Sequence, residues 1–204
     1  MPEPELHAVV QVGAKPDQLW FEPPSEPWPQ FVRLWGSATP DDVALFLVVA
    51  SSYGRTDEEP AASVDDVLSD FPHVLPGGIR VVSDERTVVP SCCCGLENWP
   101  DWRRVLTDGE SPWTGHDPAP LVEPDKDVVR IWSDGGMGEA PHHEVPIIFP
   151  RSAFALAVET VGEDLREFLQ PLRAWLDARV SHASAEFISK FDTRFVRVRP
   201  ADGD

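Results

Sequence analysis

The sequence predicts an α+β fold in which antiparallel hairpins pack against a long C-terminal helix, all within a single domain over residues 1–204. Helical patterns interrupt pairs of short β-rich segments, an order typical of α+β proteins. An apolar stripe with a 3.6-residue period follows Ser152 and predicts the long helix. No long polar linker divides the chain, and its apolar content of 42 % is sufficient for one core.

The N-terminal half is predicted to combine strands with two capped helices. Thr39 precedes a proline and two acids, which together favour a helix start, and Gly54 is expected to end this helix. Ser63 is expected to cap the second helix. The aromatic side chains of the proline-rich loop 14–30 are expected to lie against the domain. The predicted elements are strands at residues 5–12 and 31–35, helices at 40–53 and 64–71, and a hairpin of 79–82 with 87–89.

The C-terminal half is predicted to continue with a hairpin, a strand and helices. Gly95 permits a sharp turn before the first of these helices, and Pro100 is expected in its first turn. Ser152 is expected to cap the longest helix, which Pro171 should kink or split. The predicted elements are a helix at 96–106, a hairpin of 121–123 with 128–132, a strand at 143–149, helices at 152–180 and 184–191, and a short segment at 195–198.

The charge of the chain limits its partners. Acidic residues number 35 and basic residues 17, which gives a formal net charge of −18. Such a surface repels phosphate backbones and anionic membranes, so we expect neither nucleic acid nor membrane as a partner. It attracts a protein with a basic surface. An acidic N-terminus and the absence of an apolar run of about 18 residues predict a cytoplasmic protein.

The three cysteines are consecutive, at Cys92, Cys93 and Cys94. Neighbouring cysteines cannot form a disulfide framework, because disulfides prefer Cα separations above about 4.4 Å. On a strand, Cys92 and Cys94 would share one face. That pair can supply two thiolates to a metal, but the usual spacing of paired ligands is absent. The sequence therefore predicts no metal and no cofactor, and small buried cysteines are the simpler interpretation.

A thiol nucleophile is the second interpretation of the same region. Cys94 stands just before Gly95 and a predicted helix, whose N-terminus would lower the pKa of the thiol. His116 is the candidate base and Asp117 the candidate residue that orients it. The plainer alternative is that Asp117, which precedes a proline, caps backbone donors in a turn. Cys94, His116 and Asp117 are thus the candidate catalytic residues.

Aromatic side chains converge on the same stretch and predict a binding surface. Exposed tryptophans dominate the binding energy of protein interfaces, although buried ones belong to the core, and both interpretations stay open here. Glu97 lies in the first turn of the predicted helix, where the helix dipole alone explains an acid. The candidate binding residues are Trp99, Trp102, Trp113, Trp132 and Glu97.

Two motifs carry a resemblance to known sequences. The run Pro90-Ser-Cys-Cys-Cys-Gly-Leu-Glu-Asn-Trp99 and the later Gly115-His-Asp-Pro-Ala-Pro120 resemble motifs of uncharacterised actinobacterial proteins, over roughly residues 75–135. That resemblance implies no catalytic residues. In size, charge and fold class the chain is also similar to immunity proteins of bacterial contact-dependent toxin systems, which implies an inhibitor of a basic toxin.

No phosphate-binding, hydrolase-elbow or zinc-protease motif is present. The sequence therefore predicts a protein-binding module that is not an enzyme. The alternative is a metal-binding protein or thiol-dependent enzyme that uses Cys92, Cys94, His116 and Asp117.

Overall fold

The computed structural model describes residues 3–53, 60–136 and 145–197. Its strands are β1 (Glu5–Gln11), β2 (Phe31–Arg33), β3 (Gly77–Val82), β4 (Thr87–Val88), β5 (Leu121–Pro124), β6 (Val128–Trp132) and β7 (Ile147–Pro150). They form a four-stranded antiparallel sheet in the order β2-β1-β3-β4 and a three-stranded antiparallel sheet in the order β5-β6-β7.

Helices of three kinds accompany the two sheets. They are α1 (Pro40–Ser52), α2 (Val64–Ser69), a 3₁₀ helix (Leu96–Arg103), α3 (Arg104–Thr107), α4 (Arg151–Phe191) and a π-helix (Asp192–Val196). Helix α4 contacts strands of both sheets as well as α1 and α2. The predicted α+β class, with antiparallel hairpins against a long C-terminal helix, is confirmed. No helix in the described part of the chain is both long and apolar enough to cross a membrane.

The first sheet and α1 form as their local sequences predict. Leu6, Ala8 and Val10 alternate along β1 and point into the core, since successive side chains of a strand face opposite sides. The Thr39 hydroxyl accepts from the backbone N–H of Asp42, whose carboxylate accepts from the Thr39 N–H. This capping box satisfies two donors at the start of α1. The predicted stop at Gly54 lies outside the described residues.

The proline-rich loop is anchored by aromatic contacts, as predicted. Trp20 and Phe21 pack edge-to-face on Trp175 of α4, with ring centroids 6.0 and 5.3 Å apart. The Trp20 indole N–H donates to the Ser51 hydroxyl at the end of α1. Loop 14–30 therefore covers the junction between α1 and α4.

Three local predictions for the C-terminal half are corrected. The helix predicted at 96–106 is a 3₁₀ helix that continues as α3, because Pro100 in its interior has no N–H for an α-helical bond. The long helix starts at Arg151 after Pro150, so Ser152 is not its cap. It breaks at Val180, where φ is −143° and ψ is 52°, while Pro171 keeps helical dihedral angles.

Two further segments differ in extent or type from the predictions. The strand predicted at 143–149 is described only from residue 145 onward, and β7 begins at Ile147. The last predicted segment, 195–198, belongs in its first two residues to the π-helix. Strand β7 directly precedes α4 in the chain and the π-helix directly follows it. Both contact α4.

Candidate functional site

The three cysteines occupy a turn between β4 and the 3₁₀ helix, and not a strand. Cys93 has φ of +64°, a left-handed conformation that few residues other than glycine adopt. This backbone reversal removes the alternation expected of a strand. Cys92 and Cys93 are both exposed, whereas Cys94 is buried, so the predicted pairing of Cys92 with Cys94 on one face is wrong.

A second loop, residues 112–118, holds the cysteine turn in place. The Ser91 N–H donates to the Thr114 carbonyl at 3.1 Å, and the Trp113 indole N–H donates to the Cys93 carbonyl at 3.0 Å. Gly115 has φ of +98°, and a Cβ at this position would lie only 2.6 Å from the Cys92 carbonyl oxygen. The close approach of the two loops therefore requires glycine at position 115.

The contact between the two loops brings three metal-ligating side chains together. The sulfur atoms of Cys92 and Cys93 and a ring nitrogen of His116 all lie within 4.8 Å of one another. The Cys92 Sγ and the His116 Nδ1 are 3.8 Å apart. The Trp113 ring stacks on the imidazole of His116 at 6.1 Å between centroids, with 29° between the planes. We call Cys92, Cys93 and His116 the thiol–imidazole cluster.

Cys94, the predicted nucleophile, lies outside this cluster, and its pKa is shifted in the direction opposite to the expected one. Its thiol donates to the Trp113 carbonyl at 3.6 Å. Burial, followed by the nearby Glu97 carboxylate, raises the pKa of Cys94 to about 12, although the Gly95 N–H acts in the other direction. The helix N-terminus was expected to lower this pKa. The structure therefore gives Cys94 a packing role under the turn.

Asp117, the predicted orienting residue, contributes its backbone to the site. Its N–H donates to the Ser91 hydroxyl at 3.0 Å, and its side chain is exposed. This hydrogen bond joins the Asp117 segment to the cysteine turn through the backbone, and a capping role of the Asp117 side chain stays a prediction. His142 and His143, two further histidines that could supply a metal ligand, lie outside the described residues.

The candidate binding residues separate into buried and exposed ones. Trp99 is 1 % exposed and Trp102 is 4 % exposed, so neither ring offers a surface to a partner. Trp113 is 43 % exposed, and Trp132 is half-buried. The carboxylate of Glu97 accepts the Leu75 N–H at 3.3 Å, and burial raises its pKa despite this bond.

Cys93 is the functional candidate that the sequence patterns did not single out. A strand would have turned its side chain away from Cys92, and only the left-handed turn brings the two together. An open groove of about 380 Å³ adjoins the turn and is lined by the three cysteines, Val48 and Tyr53. No protein-family model, curated protein or solved structure matches the chain. Function is therefore inferred from the geometry of this site.

Alkylation of the native protein at pH 8 is expected to modify two thiols fast and the third slowly. The thiolate is the reacting species, and a pKa of about 12 leaves about one Cys94 thiol in ten thousand ionised at that pH. Cys92 and Cys93 are open to solvent. Mass spectrometry after timed iodoacetamide exposure distinguishes the two classes. Three equal rates would contradict the described turn, and Cys94→Ser should abolish only the slow class.

Proposed function

We propose that the chain binds a thiophilic metal ion, zinc in the first place, through Cys92, Cys93 and His116. The observation that carries the proposal is the convergence of two sulfurs and one imidazole nitrogen within 4.8 Å. Thiolates and imidazole are the preferred ligands of zinc, and thiolates also favour copper(I). Two cysteines and one histidine match the three-ligand zinc sites that keep a fourth position open.

The distances fit this ion without rearrangement of the backbone. Zinc–sulfur and zinc–nitrogen bonds of about 2.3 and 2.0 Å imply ligand atoms about 3.5 Å apart around a tetrahedral ion. The Cys92 sulfur is already 3.8 Å from the imidazole nitrogen. Small side-chain rotations complete the set, and the hydrogen bonds between the two loops hold the ligands before the metal arrives.

The exposure of the thiol–imidazole cluster would leave the fourth coordination position of a bound ion accessible. All three residues are exposed, so the fourth position faces solvent or the adjoining groove. A zinc ion there would act as a Lewis acid toward a bound water or ligand. The three cysteines are free, which fits a reducing compartment such as the cytoplasm.

Metal titration of the purified full chain tests the proposal. We expect one equivalent of zinc to bind, and cobalt(II) to give thiolate charge-transfer absorption. Cys92→Ser and Cys93→Ser should each weaken zinc binding by more than about 100-fold, because even residues behind the ligands account for 10–100-fold. His116→Gln should act likewise.

Matched controls separate a specific site from general thiol affinity. Cys94→Ser removes a thiol outside the cluster, and His73→Gln removes an exposed histidine elsewhere; both should leave zinc affinity unchanged. Equal losses in Cys94→Ser and Cys92→Ser would refute the site. So would a stoichiometry of zero at zinc concentrations up to about 1 mM.

Recognition of a basic protein partner is the second proposed function. The net charge of −18 and the exposed ring of Trp113 support it, whereas Trp99 and Trp102 cannot contribute as anchors. Such a partner would include a basic toxin domain neutralised by an immunity-type inhibitor. Calorimetry against the purified products of neighbouring genes tests this, with a tenfold weaker affinity expected for Trp113→Ala, about the loss of one anchor. Absence of binding to any of them would overturn it.

A further inference from the structure

A basic cleft lies at the C-terminal end of α4, on an otherwise acidic protein. It has a volume of about 710 Å³, within the range of small-molecule sites. Lys190 lies one residue before the end of α4, Arg194 lies in the π-helix, and Arg197 follows it. All three line the cleft together with His73 and Phe71. Short π-helices are frequent at functional sites.

The end of α4 and the π-helix that follows it bring three cations to one cleft. Lys190 belongs to α4 and Arg194 to the π-helix, Arg197 is the residue after it, and all three line the same cleft. The whole chain carries only 17 lysines and arginines against 35 acids. The described lining of this cleft therefore holds more cations than acids, although two of the three cations have acidic partners beside the cleft.

Arg194 is the cation whose charge is available. Lys190 lies 3.5 Å from Glu186, and Arg197 lies 2.8 Å from Asp192. Within the described ranges, Arg194 has no ion-pair or hydrogen-bond partner, and its side chain is exposed. Its five guanidinium donors are thus free to bind a ligand.

A single carboxylate, Glu97, stands among the described residues that line this cleft, and it is directed to the backbone. It accepts the Leu75 N–H, and it folds over Gly95 so closely that a Cβ there would collide with it. Phe71 adds an apolar wall. The lining of the cleft thus combines the unpaired charge of Arg194 with the aromatic ring of Phe71. Its one carboxylate among the described residues, that of Glu97, is not directed at Arg194.

We propose that this cleft binds a phosphate-bearing small molecule, with Arg194 as a bidentate anchor and Lys190 and Arg197 beside it. The planar fork of arginine matches two phosphate oxygens, and charged hydrogen bonds of this kind are about twice as strong as neutral ones. Phe71 packs on the apolar part of the ligand. The site is independent of the thiol–imidazole cluster.

Calorimetric titration of the full chain with inorganic pyrophosphate tests the proposal. We expect saturable binding, an affinity at least about tenfold lower for Arg194→Gln, and a clearly weaker response to citrate. The control Arg173→Gln removes an exposed arginine of α4 outside the cleft and should change nothing. Because Arg194 is exposed, thermal melting should be the same for both variants.

Three outcomes would overturn the proposal. The first is the absence of pyrophosphate binding at millimolar concentration. The second is an equal loss of affinity in Arg194→Gln and Arg173→Gln, which would show a response to net charge alone. The third is citrate binding as tightly as pyrophosphate, since the proposed anchor selects phosphate.

Discussion

Replacing Trp99 with alanine is expected to lower the free energy of unfolding by about 3–5 kcal/mol, the range for truncation of a large buried ring. The side chain is 1 % exposed. The remaining structure cannot fill the space of an indole, so a cavity adds to the lost burial. Urea denaturation followed by circular dichroism measures the change.

The contacts of Trp99 explain why the effect is large. Its indole N–H donates to the carbonyl of Phe195 in the π-helix at 2.8 Å. One edge of the ring meets α4 at Gly162, where a Cβ would lie 2.9 Å from it. The Arg103 guanidinium lies over the ring, 4.7 Å from the centroid. The one ring therefore joins the 3₁₀ helix to α4 and to the π-helix.

Two variants separate the contributions of ring and hydrogen bond. Trp99→Phe keeps an aromatic ring but leaves the Phe195 carbonyl without its donor, and we expect a loss of about 1–3 kcal/mol. Trp113→Ala truncates the 43 % exposed tryptophan and should change stability by about 1 kcal/mol or less. A loss for Trp99→Ala as small as that for Trp113→Ala would contradict the buried position.

Elements with strong local signals could be predicted from the sequence. Thr39, Pro40 and Asp42 specify the start of α1 through contacts within one turn, so no distant residue is needed. The hairpins at β3–β4 and β5–β6 are likewise local pairs joined by short turns. The break at Val180 falls at the predicted end of helix 152–180 and before the helix predicted at 184–191, whereas Pro171, where a kink is expected, keeps helical dihedral angles.

The site could be predicted only as a region. The rare residue types identified the stretch in which the thiol–imidazole cluster forms, and Cys92 and His116 lie near each other. The orientation of each cysteine depends on the left-handed Cys93, and that conformation is stabilised by loop 112–118, many residues away. The same limit applies to the tryptophans. The spacing of Trp99 along its helix does not determine whether its ring packs against α4 or is exposed to solvent.

Charged and titratable side chains lie on neighbouring strands of the first sheet. His7 of β1 pairs in register with Arg80 of β3, and Arg33 lies on the neighbouring β2. Burial lowers the pKa of His7, and both arginine charges lower it further, against a hydrogen bond that the imidazole donates to the Glu5 carboxylate and that raises it. Asp164 of α4 binds Arg33 at 2.8 Å, with side chains 12 % and 24 % exposed.

Asp164→Asn is expected to destabilise the fold by about 3 kcal/mol at pH 7, since it leaves the largely buried Arg33 charge without its carboxylate. Urea denaturation measures the loss. The matched control is Asp108→Asn, which breaks an exposed ion pair of 2.7 Å with Arg104 and should leave stability nearly unchanged. Equal losses in the two variants would contradict the burial of the first pair.

The same variant should become more sensitive to acid. The unfolded His7 takes up a proton near its ordinary pKa of about 6.5, whereas the folded one, with its lowered pKa, resists it. Stability therefore falls as pH drops below about 6.5. Without Asp164, the positive charge of Arg33 is no longer balanced and lowers the pKa of His7 further. Stability should therefore fall more steeply as the pH decreases. Adding Arg33→Met to Asp164→Asn should restore the shallower pH dependence; if it does not, the coupling between Arg33 and His7 is refuted.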